Sequence, residues 1–581
     1  MAVRMRKKSL FLLLVLIGAE LLVQTAYFGV RPAHAVTWSP GIGLTPLGSI
    51  EEKPYVMEDS HSTLWVAYDS NRLGNWTIWM RQFNGVSWLP EQQLTNSTSN
   101  GLTPALAQLN NGNVMLVYTS DKSGNFSLYY KTYASGVWSS PSRLTTPQGR
   151  DSTPSLVQLR NGTVMMYWTR ESLSGSVVRY VQYKSYNNGV WSKEAQFSTG
   201  GSEEEPSVYQ TDDGTIWVLY AANRYGNLDI FYKTYNGAWS SEIRLTTNTA
   251  DDHQSWLTQD LNGVLWEFWT RCVPISGGSC EDDVFYVTST NLGATWSAEV
   301  QFTVDPTGNT IYDSHPAAIH YDRDKMMYVF WGTDLTGPGA DFDVWLRTST
   351  PMPIHHVSLS NATKSPASLM EAGTVKVNFT ANNPGDYKEN VTVNGYYQSQ
   401  NSFLFKSTTT SIMPGTSAFM EMNWNTSRVV PANYTVFLYA IPVPGESIRL
   451  LGDNTAVAGN VTVQRVPSDI NGDGKVNVVD LAMVALKYGI SIGPEDINHD
   501  CRVDVVDLAI VAIHYGTKVG DPNWYAPADI DGNNVVNVID LARVAIKYGT
   551  SLLNVPEDVN HDCAVSVLDL ATVAINYGFG T

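Results

Sequence analysis

The chain is short of cysteine, short of charge and, past its first residues, short of long apolar runs. Only 4 cysteines occur in 581 residues, and Asp, Glu, Lys and Arg make up 16%. Positive charge is the scarcer sign: 37 Lys and Arg face 55 Asp and Glu, a formal net charge of −18. That balance repels polyphosphate and excludes nucleic acid as an expected partner. After residue 35 no apolar stretch approaches the roughly 20 residues of a membrane span, so no transmembrane segment is expected in the mature chain. The one apolar run, Leu10–Ile17, follows Arg4, Arg6, Lys7 and Lys8 and is succeeded by Ala33-His34-Ala35. Basic, then apolar, then small-x-small is the order of a secretory signal. Residues 1–35 are therefore expected to be removed and the protein to be secreted. In an oxidising setting Cys272 and Cys280, which bracket a short loop, are expected to form a local disulfide. Sequons such as Asn75 and Asn125 mark surface that glycosylation could use.

What the chain has in plenty is aromatic residues in repeating places. Residues 36–350 repeat with a period of roughly 50 residues. Each unit ends with a turn, a Trp and a Ser or Thr seven residues on: Trp88/Thr95, Trp138/Thr145, Trp191/Ser198, Trp239/Thr246 and Trp296/Thr303. Three further strand-like runs precede each Trp. Four strands per unit and six units predict a mainly β domain, a six-bladed β-propeller. The sixth unit lacks its Trp strand, and Trp38/Thr45 shows the missing spacing. Residues 36–45 are expected to close the last blade and remove two sheet edges.

The turn Ser289–Trp296 resembles the Asp-box of sialidase-type propellers, with Asn291 in place of Asp. The other turns keep only Gly and Trp. The resemblance implies a sialidase-like propeller. Sialidases carry Arg-Ile-Pro before the first inner strand; here that place reads Glu51-Glu52-Lys53-Pro54. Two added negative charges would repel an anionic sugar, which points to a neutral sugar or to binding without turnover.

Propeller topology brings the loops entering the inner strands, and those joining strands two and three, to one face. The entering loops carry Glu51 and Glu52, Arg150 and Asp151, Glu203, Glu204 and Glu205, Asp251, Asp252 and His253, and Asp313 and His315; the other loops carry Arg72, Lys122, Arg170, Arg224 and Arg271. Paired carboxylates there could act in glycoside hydrolysis. The candidate catalytic residues are Asp252, His253, Glu204, Asp151, Asp313, Arg170 and Arg271. A basic residue repeated blade after blade is also what a structural brace looks like. Arg72, Lys122 and Arg224 fall in near-identical loops and are read as braces; Arg170 and Arg271 depart from that pattern and stay in the functional set.

Residues 354–464 alternate strand-like runs with turns and read as a β-sandwich. The elements NNPGD, MPGTS, MNWNT, ANYTV and DNTAVAG resemble a CARDB-type immunoglobulin-like module, which implies a spacer.

The tail holds a fourfold motif. Oxygen side chains stand at positions 1, 3, 5, 9 and 12 of a twelve-residue loop, and position 7 offers a backbone carbonyl. The sets are Asp469, Asn471, Asp473, Lys475, Asn477 and Asp480; Asp496, Asn498, Asp500, Arg502, Asp504 and Asp507; Asp529, Asp531, Asn533, Val535, Asn537 and Asp540; and Asp558, Asn560, Asp562, Ala564, Ser566 and Asp569. Such cages suit Ca²⁺. Each loop feeds a short apolar helix ending in Tyr-Gly. A loop with Asp at position 12 feeding a short helix, in pairs, resembles a dockerin, with 467–518 as one module and 527–579 as a second. The resemblance implies bound Ca²⁺ and a cohesin-type partner. Cys501 and Cys563 stand at position 6 of the second and fourth loops and either pair with each other or remain free thiols. The apolar pairs Val478-Val479, Val505-Val506, Val538-Ile539 and Val567-Leu568 serve either a cohesin contact or packing inside the tail. Two functions remain open: a secreted adaptor whose propeller binds a glycan or another surface ligand, tethered by dockerins, or a glycoside hydrolase in polysaccharide breakdown delivered by them.

Overall fold

The structure is a computed structural model that describes residues 36–46, 48–173, 177–198, 202–275, 279–304, 311–334, 341–427, 429–471, 475–487, 490–491, 493–547 and 556–575. Residues 1–35, read as a secretory signal, Asp473 and the Tyr-Gly pairs after the first, third and fourth tail helices lie outside them. The chain forms two compact units, one of residues up to His356 with 385–387 and 444–450, the other of 357–384, 388–443 and 451 onward. Three short segments of the stretch read as sandwich, 354–356, 385–387 and 444–450, thus belong to the first unit.

Among the described residues, the first unit holds six antiparallel sheets, each built on a path of four strands. Their first strands are Glu51–Glu58, Gly101–Gln108, Gly149–Gln158, Glu203–Gln210, Asp252–Gln259 and Asp313–Tyr321. Each touches the next, and the sixth touches the first, so the ring is closed and the fold is of propeller type. The sixth sheet takes its fourth strand from the N-terminal side: Ile42 and Gly43 pair with Leu346 and Trp345.

Local chemistry explains the repeat. The glycines of the turns before each Trp (Gly85, Gly136, Gly189, Gly237, Gly293) all have φ between 80° and 89°, a region open to glycine without Cβ strain. The hydroxyl seven residues after each Trp accepts the amide of the neighbouring third strand: Thr95 from Ile78, Thr145 from Leu128, Ser198 from Val181, Thr246 from Ile230, Thr303 from Val284 and Thr45 from Val344, all at 2.8–3.0 Å. One hydroxyl thus satisfies a strand amide where the short fourth strand ends. Between sheets the core is aromatic and aliphatic, with Trp168, Trp269, Phe268 and Phe330 fully buried.

The second unit begins with a three-stranded sheet (Ser358–Ser365, Thr374–Asn383, Thr416–Asn425) and a five-stranded one (Ser368–Met370, Thr455–Gln464, Ala432–Ala440, Glu389–Gln398, Ser402–Ile412). Inward residues such as Val375, Val377, Phe379, Val391, Val393 and Trp424 form their common core. Then, among the described residues, come four α-helices: α1 Val478–Lys487, α2 Val505–His514, α3 Val538–Lys547 and α4 Val567–Ile575. Their packing is nested. α1 meets α4 and α2 meets α3, with Val484 and Val573 in one small core and Val511 and Val544 in the other. The loops therefore pair first with fourth and second with third, unlike the consecutive modules 467–518 and 527–579. Cys501 and Cys563 form a disulfide joining the two cores, and Cys272 pairs with Cys280.

Candidate functional site

Each inner strand of the ring carries a register shift near its start. At each shift one residue has a left-handed backbone: Lys53, Thr103, Thr153, Glu205, Gln254 and His315, with φ of 46–56°. Five of the six precede proline, where extended backbone is the ordinary choice. Such conformations cost about 1–3 kcal/mol each and gather at working sites. Neighbouring sheets hold them. The Thr103 amide donates to Asp69 Oδ2 (3.0 Å), the Glu205 amide to Thr169 Oγ1 (2.8 Å), the Gln254 amide to Glu205 Oε2 (3.1 Å) and the His315 amide to Thr270 Oγ1 (3.1 Å). All six line one axial cavity, floored by Tyr55 and Trp256. Beside it a recess of about 290 Å³ is lined by Lys53, Thr103, Thr153, Arg150, Glu171, Arg179, Glu204 and Glu205 among others, close to the lower end of the roughly 300–1,000 Å³ of small-molecule sites.

The electrostatics of this ring are sharply divided. Burial favours the protonated form of Glu205, but His253 Nδ1 at 3.4 Å outweighs it and lowers the carboxyl to about 2. Burial opposes charge on His253; Asp282 and Glu205 together overcome it and raise the imidazole to about 10. Glu204 is pushed up by burial and by Glu205, against the pull of Arg179 at 2.7 Å. Burial lifts Asp69 to about 7 despite Lys53. Burial and Lys53 depress His315 to about 4. The Gln254 oxygen accepts from the Thr270 hydroxyl and the His315 amide, so its nitrogen donates to His315 Nε2 at 2.8 Å, and the neutral ring carries its proton on Nδ1, facing Ser314.

Of the candidate catalytic residues, Glu204 lines the recess and His253 contacts Glu205; Glu205, His315 and Arg150 of the entering loops also line the site. Asp151, Asp252, Arg170 and Arg271 do not reach it as free groups. Arg170 Nε meets Asp151 at 2.6 Å and its Nη1 meets Glu194 at 2.8 Å; Arg271 makes the same pair of bonds to Asp252 and Glu299. Arg72 joins Glu51 and Glu91, and Arg224 joins Glu203 and Glu242. The distinction drawn between the two sets of arginines disappears: all four bridge an entering-loop acid to an acid near the fourth strand. Side-chain length explains the sequence difference. Where the entering acid is Asp, a Trp of the second strand donates to it (Trp168 to Asp151, Trp269 to Asp252, Trp331 to Asp313). Where it is Glu, a Tyr stands there and bonds the other acid (Tyr68 to Glu91, Tyr220 to Glu242). Asp313 is accordingly buried in the sixth sheet. Lys53 entered the sequence reading only as standing where sialidases carry Arg, and Thr103, Thr153 and Gln254 were not picked out; the available signal was the residue before the proline that opens five of the six inner runs, which misses Gln254.

The tail loops have a regular construction. The position-9 side chain caps its helix: Asn477 accepts from Val479, Asp504 from Val506, Asn537 from Ile539 and Ser566 from Leu568. The position-12 Asp accepts the position-9 amide in return (Asp480, Asp507, Asp540, Asp569), closing a capping box. This box accounts for Asp at position 12 but not for the Asp and Asn oxygens at positions 1, 3 and 5. Carboxylate oxygens of Asp529, Asp531 and Asp540, and of Asp558, Asp562 and Asp569, lie within 4.8 Å of one another. Burial and the neighbouring acids raise Asp496 and Asp558. Crowded carboxylates of this kind fit a hard cation. Position 6 is left-handed in Cys501, Asn534 and Cys563. The apolar pairs at the helix starts are exposed, 46–63% each for Val478, Val479, Val505, Val506, Val538, Ile539, Val567 and Leu568, so packing between the helices does not use them.

No family profile matches the chain, and no characterised relative matches it in sequence. Solved structures with a similar strand layout include a Hadza microbial sialidase, with 11% identity over 52% of this chain and 66% of that one, TM-score 0.39. This chain thus spans slightly under two thirds of the sialidase. Others are an α-L-arabinanase of Penicillium chrysogenum complexed with arabinobiose (15% identity, 48% of this chain and 88% of that one, TM-score 0.34) and an endo-arabinase from Bacteroides thetaiotaomicron (16%, 41% and 93%, TM-score 0.29).

Proposed function

We propose that the first unit is a six-bladed β-propeller acting as a glycoside hydrolase on a neutral sugar, with its site in the axial funnel. The supporting observation is that two adjacent carboxyls lining one recess have opposite protonation tendencies. Glu205 is held ionised by His253, and Glu204 is pushed toward its acid form. Carboxyls driven apart in this way are how one site supplies both an acid and a base. Glu204 would protonate the glycosidic oxygen as the bond to the anomeric carbon breaks. Glu205 would take the proton of the attacking water or attack the carbon itself. Around them the cations Lys53, Arg179 and His253 are each balanced by an acid, which leaves little net field for an anionic substrate. Binding without turnover is the second reading, favoured by the same saturation. A panel of chromogenic glycosides separates the two. Glu204→Gln is expected to lower kcat by about 10²-fold or more on the hydrolysed member and to leave KM similar. A wild-type protein that binds sugars of the panel and cleaves none would leave the binding reading.

For the tail, the reading is that of paired dockerin-like calcium loops on an exported chain. The four exposed apolar pairs are the contact offered to a cohesin-type partner, and the sandwich, CARDB-like, is the spacer. The repeated oxygen positions and the crowded carboxylates support calcium; the exposure of the apolar pairs supports docking.

A further inference from the structure

Two departures from the repeat meet in the fifth sheet. After the left-handed residue, five sheets have proline (Pro54, Pro104, Pro154, Pro206, Pro316) and the fifth has Ser255. On the adjoining strand the residue facing the inner strand is Val66, Leu116, Met166, Val218 and Val329 in five sheets, and Glu267, opposite Leu257, in the fifth. Both substituted side chains are polar, and each is the other's neighbour. Glu267 is fully buried, at 0% exposure. Neither of its carboxyl oxygens has a hydrogen-bond partner, and neither does the Ser255 hydroxyl. The Ser255 hydroxyl and the Trp256 amide lie close enough to the carboxyl to favour its charged form, though neither meets it with hydrogen-bond geometry. Ser255 lines the axial cavity between Gln254 and Trp256.

A buried polar group without a partner is costly, and an apolar residue of similar size costs nothing of the kind. Five sheets of this same chain use the apolar solution. The one sheet that does not is the one in which the rigid proline beside the cavity has become a hydroxyl. Burial holds the Glu267 pKa well above the usual carboxylate range, which favours the uncharged acid, both donor and acceptor. An uncharged donor–acceptor couple matches an alcohol rather than an ion.

We propose that Ser255 and Glu267 form a subsite in the floor of the funnel that receives one hydroxyl group of the bound sugar, Ser255 bonding it directly and Glu267 positioning Ser255 from behind. The inference rests on the glycan reading for the identity of the ligand. The full chain is tested with neutral arabino-, xylo- and gluco-oligosaccharides by calorimetry, together with melting temperatures. Glu267→Met, which copies the third sheet, should raise the melting temperature and weaken binding of the preferred sugar about tenfold. Ser255→Ala should weaken it similarly, and Glu267→Gln, still donor and acceptor, should stay within about threefold. Unchanged affinity in Glu267→Met would overturn the subsite. If wild type binds none of the sugars, the glycan reading fails separately, and the infrared carbonyl band of protonated Glu267, identified by its loss in Glu267→Met, decides the subsite. A shift of that band on adding glycerol supports an alcohol site. A band that glycerol leaves unmoved, whether free or already bonded to water, overturns it.

Discussion

His253 shows most clearly how a single residue sets the state of its surroundings. Its charge comes from Asp282 and Glu205 against the cost of burial. The folded pKa of about 10 lies above the unfolded 6.5, so the stabilisation is fully present below about pH 6.5 and is lost as pH rises through 10. Glu205 has the opposite sign. Its folded value of about 2 lies below 4.5, so its contribution is present above 4.5 and disappears as pH falls through 2. The couple is therefore strongest between about pH 4.5 and 6.5. Nuclear magnetic resonance titration should find His253 still protonated at pH 8 and His315 neutral down to about pH 4. His253→Gln should lower the melting temperature at pH 6 and have a much smaller effect at pH 10.5. A pH-independent penalty would mean that His253 is not charged. None of this was visible in the sequence, where His253 and Glu205 are 48 positions apart.

At the scale of the element, the sequence shows the repeat and conceals what its residues do. The Trp-to-Ser/Thr spacing marks the fourth strand, and the structure supplies its reason, a hydroxyl that accepts the third strand's amide. The brace is the contrary case. Arg170 and Arg271 looked distinct because their loops differ in composition. They are the same device as Arg72 and Arg224, with the acid shortened by one carbon and a Trp filling the space. The Arg170 side chain is 2% exposed and Asp151 is 0% exposed. Arg170→Met should therefore destabilise the first unit by about 3–5 kcal/mol, because Asp151 is left charged and buried with one partner removed. Chemical denaturation of the variant measures this; a loss of activity at unchanged stability would instead return Arg170 to the catalytic set. The ring of left-handed residues was hidden for a related reason. A residue before proline is ordinarily extended, and only bonds from the neighbouring sheets reverse that preference.

For the whole molecule, calcium is expected to act on the second unit. Adding Ca²⁺ to the metal-free full chain should release heat, increase helix and raise the melting temperature of the tail, while the first unit's transition stays in place. The carboxylates repel one another without a counter-ion, and binding to the folded form alone shifts the equilibrium by mass action. The disulfide between Cys501 and Cys563, 62 positions apart, already restrains the unfolded tail by about 4 kcal/mol in a loop-closure account, so the metal-free tail should keep part of its structure. The sequence by itself determined what depends on neighbours along the chain: six repeats of strands, the turns between them, four capped loops with their oxygens at fixed spacing, and the missing fourth strand of the last repeat. Those features follow from side-chain periodicity and turn chemistry, which act over a few residues. Tertiary structure alone decided which loops pair, first with fourth and second with third, and which polar groups face the axis. The first brings Val511 to Val544 and Val484 to Val573, 33 and 89 positions apart, the second joins residues such as Gln254 and Glu205, 49 positions apart, and no local pattern records those meetings.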